Sequence, residues 1–199
     1  MRAHASTRGR RVGVYGRPFP GEPVSGDDAL FVRGAGALLL AVADGLGHGP
    51  LARTASATAM AVLADRPGLS LEALFGECHS ALSGTRGAVM TAARLDDLGS
   101  LTLAAVGNVG AHVYGPGTTG RFGGSSFVLG TRAPVHRVAS ETRLMGARDV
   151  LVLFSDGIKS RFDLAGELDL LREHPVVVAQ RVVERFARPD DDVLVMVAG

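Results

Sequence analysis

The chain has little of what marks disulfide scaffolds, nucleic-acid binders or membrane proteins. It holds one cysteine, Cys78, so no internal disulfide can form, and a lone cysteine argues against a zinc site. Its net charge of +1 gives no general attraction to nucleic acid or acidic lipid. No apolar run reaches the roughly 18 residues that cross a bilayer, and the polar N-terminus lacks a signal peptide. We therefore expect a cytoplasmic monomer with no nucleic-acid or membrane partner.

The composition is that of an ordinary globular protein, with 46% hydrophobic and 21% charged residues among 199. This length suits one domain with a sizeable core, and no linker or internal repeat divides it. Basic residues are concentrated at the start of the chain, ahead of the first acidic residue, Glu22. We predict a single domain over residues 1–199, in which residues 1–10 are a flexible basic tail.

Short apolar runs alternate with helical patterns. Three runs, at 37–43, 149–154 and 193–198, do not alternate with polar residues, which predicts strands covered on both faces. Further strands are predicted at 11–15, 29–32, 88–95, 101–107, 111–114 and 135–145, the last of them exposed.

One helix is predicted over residues 51–65, a second begins after Ser70, which would cap it, and a third begins at Pro175. Cys78 lies on the apolar stripe of the second helix. The glycine-rich stretch 115–124 is predicted to be a flexible loop. Many hairpins with helices in pairs indicate an α+β fold of stacked antiparallel sheets with helices outside.

Aspartates stand at the ends of the predicted core strands. Asp44 and Asp156 each end such a strand and are followed by glycine, while aspartates also precede the strands at 29–32 and 193–198. A single Asp-Gly pair is often only a turn. Several carboxylates at one edge of a sandwich would repel one another, and hard cations such as Mg²⁺ or Mn²⁺ would relieve this repulsion. Gly45 would let a backbone carbonyl approach such an ion.

Four motifs in order carry a family resemblance: SGDD (25–28), VADGLGHG (42–49), LFSDGI (153–158) and PDDDVLVMV (189–197). The chain resembles the metal-dependent type 2C-like protein serine/threonine phosphatases (the PPM family). It is most similar to the SpoIIE-like branch and its small stand-alone phosphatases of bacterial stress signalling. The resemblance implies an αββα sandwich of two antiparallel sheets flanked by helices.

The resemblance also implies a site for two Mn²⁺ or Mg²⁺ ions, with a third possible. Asp44 would bridge the ions, the Gly45 carbonyl would bind one of them, and Asp156 and Asp191 would be acidic ligands. Asp27 matches an aspartate that holds water on the ions, and we count it with both the metal site and the catalytic residues.

Three points of the comparison stay open. Asp190 competes with Asp191 because three aspartates stand in a row. Leu194 occupies a position where the family often has threonine, on the strand rather than at the ions. The arginine that grips substrate phosphate in eukaryotic members has no clear counterpart, and Arg17 and Arg33 are candidates.

The chemistry implied is hydrolysis of phosphoserine or phosphothreonine. Two ions roughly 4 Å apart would lower the pKa of a bridging water and supply hydroxide to attack phosphorus. His48 would donate a proton to the leaving alkoxide, unless a metal-bound water does so and His48 is only a hydrogen-bonding loop residue. Asn108 is interpreted as a turn former. The implied substrate is a phosphorylated STAS-domain protein of a stressosome.

Two other functions remain open. A pseudophosphatase would bind a phosphoprotein without cleaving it, although the retained aspartates argue against this. A calcium-binding β-domain would use its acidic loops to hold one stabilising ion.

Overall fold

The computed structural model describes residues 2–7, 9–34, 36–116, 118–133, 138–159 and 161–199. Within them the chain forms eleven β-strands and four α-helices. The strands are β1 Arg2–Thr7, β2 Arg10–Arg17, β3 Asp27–Gly34, β4 Ala37–Gly45, β5 Ala88–Asp96, β6 Ser100–Val106, β7 Gly110–Gly115, β8 Thr118–Gly123, β9 Ser140–Leu144, β10 Val150–Phe154 and β11 Val193–Ala198. The helices are α1 Gly49–Asp65, α2 Leu71–Ala81, α3 Leu168–Leu171 and α4 Pro175–Phe186.

The strands form two antiparallel sheets. The order is β1-β2-β11-β10-β7-β8 in the first, called sheet A, and β3-β4-β5-β6-β9 in the second, called sheet B. One hydrophobic cluster fills the space between the sheets, a second lies between sheet B and helices α1 and α2, and a third lies between sheet A and α4. The layers are therefore α, β, β and α, and the predicted αββα sandwich is confirmed.

Strand β4 shows why an unbroken apolar run folds this way. Leu38 and Leu40 face the cluster between the sheets, whereas Leu39 and Ala41 face the cluster under α1 and α2. Successive side chains of a strand point to opposite faces, so a strand between two cores needs apolar residues at every position. The prediction of a strand covered on both faces is confirmed for β4.

The predicted helix signals are also present. The Ser70 hydroxyl accepts a hydrogen bond from the Ala73 amide at 3.2 Å, which caps α2. Pro175 is the first residue of α4, where its missing N–H costs nothing. Cys78 is fully buried in the α2 core, and burial, followed by the charge of Glu77, raises the pKa of its thiol to about 12. It is a core residue, as predicted.

Two predictions about the backbone are wrong. The stretch 115–124 is not a flexible loop, because Thr118–Gly123 forms β8 and pairs with β7. Residues Arg2–Thr7 are not a tail but an edge strand paired with β2. In both cases backbone pairing with a neighbouring strand outweighs a composition that is poor in strand formers. The predicted strand 135–145 is present as the exposed β9, and residues 134–137 lie outside the described part.

The strand ends position the candidate site. Strand β3 begins where β4 ends, so Asp27 is the register partner of Asp44. In sheet A, β10 ends beside the start of β11, since Phe154 pairs with Val195. Strand β3 packs against β11, which brings the two pairs of strand ends together. Among the described helices, none is both long and apolar enough to cross a membrane.

Candidate active site

Four predicted aspartates come from both sheets to one edge of the sandwich. Asp27 and Asp44 belong to paired strands of sheet B. Asp156 follows β10 and Asp191 precedes β11, both in sheet A. The charges of Asp156 and Asp191 raise the pKa of both sheet B aspartates, so the four side chains share one electrostatic environment.

Asp44 is the centre of this group. Burial is the largest cause that raises the pKa of its carboxyl group to about 10, and the negative charges of Asp27, Asp156 and Asp191 add to it. A hydrogen bond from the protonated carboxyl group to Asp156 acts in the same direction. Without a cation, the folded chain therefore keeps Asp44 neutral at neutral pH.

Asp27 is more deeply enclosed, with 1% of its surface exposed. Burial raises its pKa well above the ordinary value, with further contributions from neighbouring aspartates, while the nearby Ser155 hydroxyl lowers it. The Ser155 hydroxyl forms its hydrogen bonds with the Leu194 main chain, and among the described residues neither carboxylate oxygen of Asp27 has a hydrogen-bond partner. Two buried oxygens without partners need either a proton or an external ligand.

The C-terminal aspartates have three different environments. Asp190 is exposed. Asp191 is half-buried, and its pKa is raised by burial and then by Asp156, against an opposing effect of Arg188. This favours Asp191 over Asp190 as the site residue.

Asp192 is a buried neighbour that the sequence analysis missed. Its Oδ1 accepts a hydrogen bond from the Phe19 amide at 2.8 Å, and its Oδ2 has no partner within the described chain. Its charge also raises the pKa of Asp27. The only signal in the sequence was the row of three aspartates, which leaves open which of them turns inward.

Gly45 is fixed by close packing. A Cβ atom at this position would overlap the Ala52 carbonyl oxygen of α1, and the Gly45 amide donates to the Gly26 carbonyl at 3.3 Å. Only glycine lets the helix start this close to the end of β4. Binding of an ion by the Gly45 carbonyl stays a prediction.

Asn108 does more than form a turn. Its side-chain amide donates to Asp156 Oδ2 at 2.5 Å, and so it orients one of the site carboxylates. The two residues are 48 positions apart. No local pattern in the sequence could have shown this pairing.

His48 is held by two residues from the loop before β3. Its Nδ1 lies 2.6 Å from Glu22 Oε1, and its ring stacks on Phe19 with centroids 4.4 Å apart. As the acceptor of an Nδ1–H hydrogen bond, the Glu22 carboxylate fixes the ring orientation. His48 is exposed and precedes α1 as its N-cap residue. The sequence analysis did not identify Glu22.

Neither candidate for the phosphate-gripping arginine is available. Arg33 forms an ion pair with Asp97 at 2.8 Å, at the far end of β3 from Asp27. Arg17 is near the site, but its guanidinium donates to main-chain carbonyls, including that of Asp191 at 3.1 Å.

Arg86 is better placed than Arg17 or Arg33 to bind a substrate phosphate. A Cβ atom at Gly47, in the turn after Asp44, would lie 2.7 Å from Arg86 Nη1. The Leu46 amide also donates to the Gly87 carbonyl at 3.0 Å, which ties the two loops together. Arg86 is exposed and forms no hydrogen bond or ion pair with any described residue. No pattern in the sequence distinguishes Arg86 from the other arginines.

The donor set fits hard cations. In the described part of the chain, no three Asp, Glu, His or Cys side chains already surround one point closely enough to enclose an ion. Mg²⁺, however, usually keeps several waters and binds through one or two carboxylates. The oxygens of Asp27 without partners and the raised pKa of Asp44 indicate negative charge that cations would neutralise. The metal-ligand roles of Asp27, Asp44, Asp156 and Asp191 stay predictions.

Comparison with known proteins agrees with this fold. The family model for stage II sporulation protein E (SpoIIE) matches residues 34–199. Comparison with curated protein sequences gave no match. A solved chain from work on the bacterial stressosome, described as a modular system adapted to control secondary messenger signalling, is 33% identical, with a TM-score of 0.88 over 96% of this chain and 99% of the other.

Two more distant structures have the same fold. RsbX in complex with magnesium is 21% identical, with a TM-score of 0.86 over 100% of this chain and 98% of RsbX. The catalytic domain of the serine/threonine phosphatase PstP in complex with two manganese ions is 20% identical, with a TM-score of 0.70 over 95% of this chain and 97% of PstP. The chain therefore belongs to the SpoIIE family and has the fold of the PPM phosphatases.

Proposed function

We propose that this protein is a metal-dependent phosphoserine and phosphothreonine protein phosphatase. The observation that carries the proposal is the meeting of four aspartates from two sheets, with Asp44 held at a pKa of about 10 and Asp27 without hydrogen-bond partners among the described residues. Without cations, the repulsion between these carboxylates destabilises the folded chain. Their oxygens are the ligands that hard divalent cations prefer. The magnesium in RsbX and the two manganese ions in PstP support the choice of metal.

In this proposal Asp44, Gly45, Asp156 and Asp191 hold two Mg²⁺ or Mn²⁺ ions, with room for a third left open. Asp27 orients water at the site. When bound, such ions lower the pKa of water and offset charge on the phosphoryl oxygens. Asn108, through its hydrogen bond to Asp156, keeps that carboxylate in one orientation.

Protonation of the leaving group and binding of the phosphoryl group are assigned to side chains outside the acidic group. His48, with its Nδ1–H directed at Glu22 and its ring stacked on Phe19, donates its second ring proton, on Nε2, to the leaving alkoxide of the serine or threonine and is left as the neutral imidazole. Arg86, beside Gly47, binds the substrate phosphoryl group through its guanidinium. Both side chains are exposed, His48 in the turn that follows Asp44 and Arg86 beside Gly47 of the same turn, so a protein substrate can reach them.

The substrate we propose is a phosphorylated STAS-domain protein of a stressosome, as for an RsbX-like phosphatase. The support is the stressosome context of the 33% identical chain and the fold shared with RsbX. A phosphatase of this kind would reset a stress signal by removing phosphate from the scaffold. Hydrolysis of phosphorylated scaffold by the purified protein tests the substrate, and hydrolysis of another phosphoprotein instead would contradict it.

The activity itself is tested with p-nitrophenyl phosphate. We expect Mn²⁺- or Mg²⁺-dependent hydrolysis that Asp44→Asn reduces to background, because the central carboxylate is lost. Asp190→Asn is the matched control and should keep wild-type activity, since Asp190 is exposed.

Two outcomes would contradict the proposal. Phosphopeptide binding without turnover would indicate a pseudophosphatase. Stabilisation by calcium with no hydrolysis would indicate a calcium-binding domain.

A further inference from the structure

Large apolar side chains are exposed beside the candidate site. Three of them, Val24, Leu46 and Leu51, are 38%, 39% and 60% exposed. Leu46 directly follows Gly45, Leu51 lies in the first turn of α1, and Val24 precedes Asp27 by three residues. We call these three residues the apolar rim.

The two segments that carry the apolar rim are packed together. A Cβ atom at Gly26 would lie 2.9 Å from Ala52 Cβ and 3.3 Å from the Gly47 carbonyl oxygen. A Cβ atom at Gly49 would overlap the Glu22 carboxylate. The loop before β3 therefore lies on the turn between β4 and α1, and the three residues of the apolar rim belong to segments that pack against each other.

A recess opens next to the apolar rim. It has a volume of about 300 Å³, and its apolar lining includes Pro18, Pro23 and Val24. Asp27 and Arg53 also line it, so the recess borders the acidic site. Arg53 is engaged there, because it forms an ion pair with Asp28 at 3.2 Å. The recess is large enough for one bulky apolar side chain.

We propose that the apolar rim and this recess bind the apolar residues that flank the phosphorylated serine or threonine of the protein substrate. The inference rests on the proposed function. A phosphoryl group that reaches Asp44 must bring its flanking residues across the loops that carry the rim. Exposed apolar patches of this kind mark interaction surfaces, and burying a leucine stabilises a complex.

The position of the rim also decides between a substrate and a second copy of the chain. A second copy seated on Val24, Leu46 and Leu51 would cover the acidic edge and block access to it. A phosphorylated segment instead uses the rim and the edge together. The surface therefore selects substrates by the residues next to the phosphate.

The test uses two synthetic phosphoserine peptides that differ only in having leucines or serines next to the phosphoserine. We expect the Mn²⁺-loaded wild type to show about tenfold higher kcat/KM for the leucine peptide. Leu51→Ser and Val24→Ser should each bring this ratio towards one. Leu98→Ser is the matched control, because Leu98 is 92% exposed in the turn after β5, at the other end of the sheet, and should keep the wild-type ratio.

Different results would contradict the role of the apolar rim and the proposed phosphatase function. Thermal melts show whether each variant is folded, and a second rim variant replaces one that is not. If the wild type hydrolyses neither peptide nor p-nitrophenyl phosphate, the proposed function fails, and fluorescence anisotropy of the same labelled peptides tests the rim by binding. No leucine preference in the wild type, or an unchanged preference in both rim variants, overturns the inference. A dimer that Leu51→Ser dissociates would assign the rim to a second copy and also overturn it.

Discussion

Asp44 keeps its proton in the folded, metal-free chain. Burial, and then repulsion from three other aspartates, raises its pKa to about 10 from an ordinary value of 3.8. In the proposed metal site, cations and protons would therefore compete for the same carboxyl group, and the affinity for Mg²⁺ or Mn²⁺ should increase with pH. The acidic residues of this edge have a cost in stability, which is the expected signature of a functional site.

The first prediction concerns stability without metal. Between pH 4 and pH 10 the folded state binds a proton at Asp44 that the unfolded state does not, so the free energy of unfolding falls as pH rises, by up to about 1.4 kcal/mol per pH unit. Asp44→Asn should flatten this slope and stabilise the metal-free protein at pH 8. Urea denaturation in EDTA from pH 5 to pH 9 measures both. Parallel pH profiles for wild type and variant would contradict the prediction.

The second prediction concerns Arg86. Because its guanidinium lies beside Gly47 and contacts no described hydrogen-bonding partner, Arg86→Ala should leave the fold intact and raise KM for a phosphopeptide about tenfold. Arg86→Lys should recover part of the loss. The matched control is Arg148→Ala, an exposed arginine before β10, at the opposite end of that strand from Asp156. Equal KM values for the two alanine variants would exclude Arg86 from phosphate binding.

Sequence reasoning selected candidate site residues that stand next to a strong local pattern, and the structure brings them to one edge of the sandwich. Asp44 and Asp156 could be predicted because each ends an unbroken apolar run, and the four ordered motifs added Asp27 and Asp191. The residues that were missed make contacts across long sequence separations, such as 26 positions for Glu22 with His48 and 173 for Phe19 with Asp192. Only the tertiary fold shows such partners. The missed residues are Glu22, Arg86, Asp192 and the hydrogen-bonding role of Asn108.

Among the elements, α1 is the one on which the site most directly depends. It begins four residues after Gly45, and its first turns pack against that glycine and against Gly26. The helix thereby fixes the turn that carries the Gly45 carbonyl, His48 and part of the apolar rim.

The third prediction tests this packing. Gly45→Ala should destabilise the protein by about 2 kcal/mol and reduce hydrolysis, because the added methyl group overlaps the Ala52 carbonyl and displaces α1. Gly76→Ala is the control, since no described atom lies within 4 Å of a Cβ at this position in α2. It should stabilise the protein by about 0.5–1 kcal/mol. Urea denaturation compares the two, and a stable, active Gly45→Ala variant would refute the role of this contact.

The strands that could be predicted from the sequence are those whose side chains are buried in the core. Strands β4, β10 and β11 have apolar residues at nearly every position because both faces are covered. Strands β1 and β8 are at the two edges of sheet A, so hydrogen bonds to one neighbour hold them and their composition is weakly constrained. This is why an arginine-rich start and a glycine-rich stretch were mistaken for a tail and a loop.

At the scale of the whole molecule, both sheets combine strands from distant parts of the chain. Sheet A joins β1 and β2 to β10 and β11, and sheet B joins β3 to β9. We propose on this basis that residues 1–199 are a single domain, in which the core between the sheets forms only once both ends of the chain are in place.

The fourth prediction follows from this proposal. The metal-free protein should unfold in one cooperative transition, because neither sheet can form without strands from both halves. Far-UV circular dichroism follows the backbone, and tyrosine fluorescence follows the packing of Tyr114, in the cluster under α4, and of Tyr15, which packs against that cluster. The chain has no tryptophan to obscure this signal. Two separate midpoints would indicate two domains.

Asp27 and Asp44 come from the beginning of the chain, and Asp156 and Asp191 come from its last quarter. A proteolytic nick between β8 and β9 would therefore divide the acidic residues equally between two fragments, and neither fragment alone would hold the four carboxylates of the proposed metal site. Activity would return only when the fragments reassemble. A cleaved copy of the proposed phosphatase would therefore lose its activity completely, because neither half keeps a working part of the site.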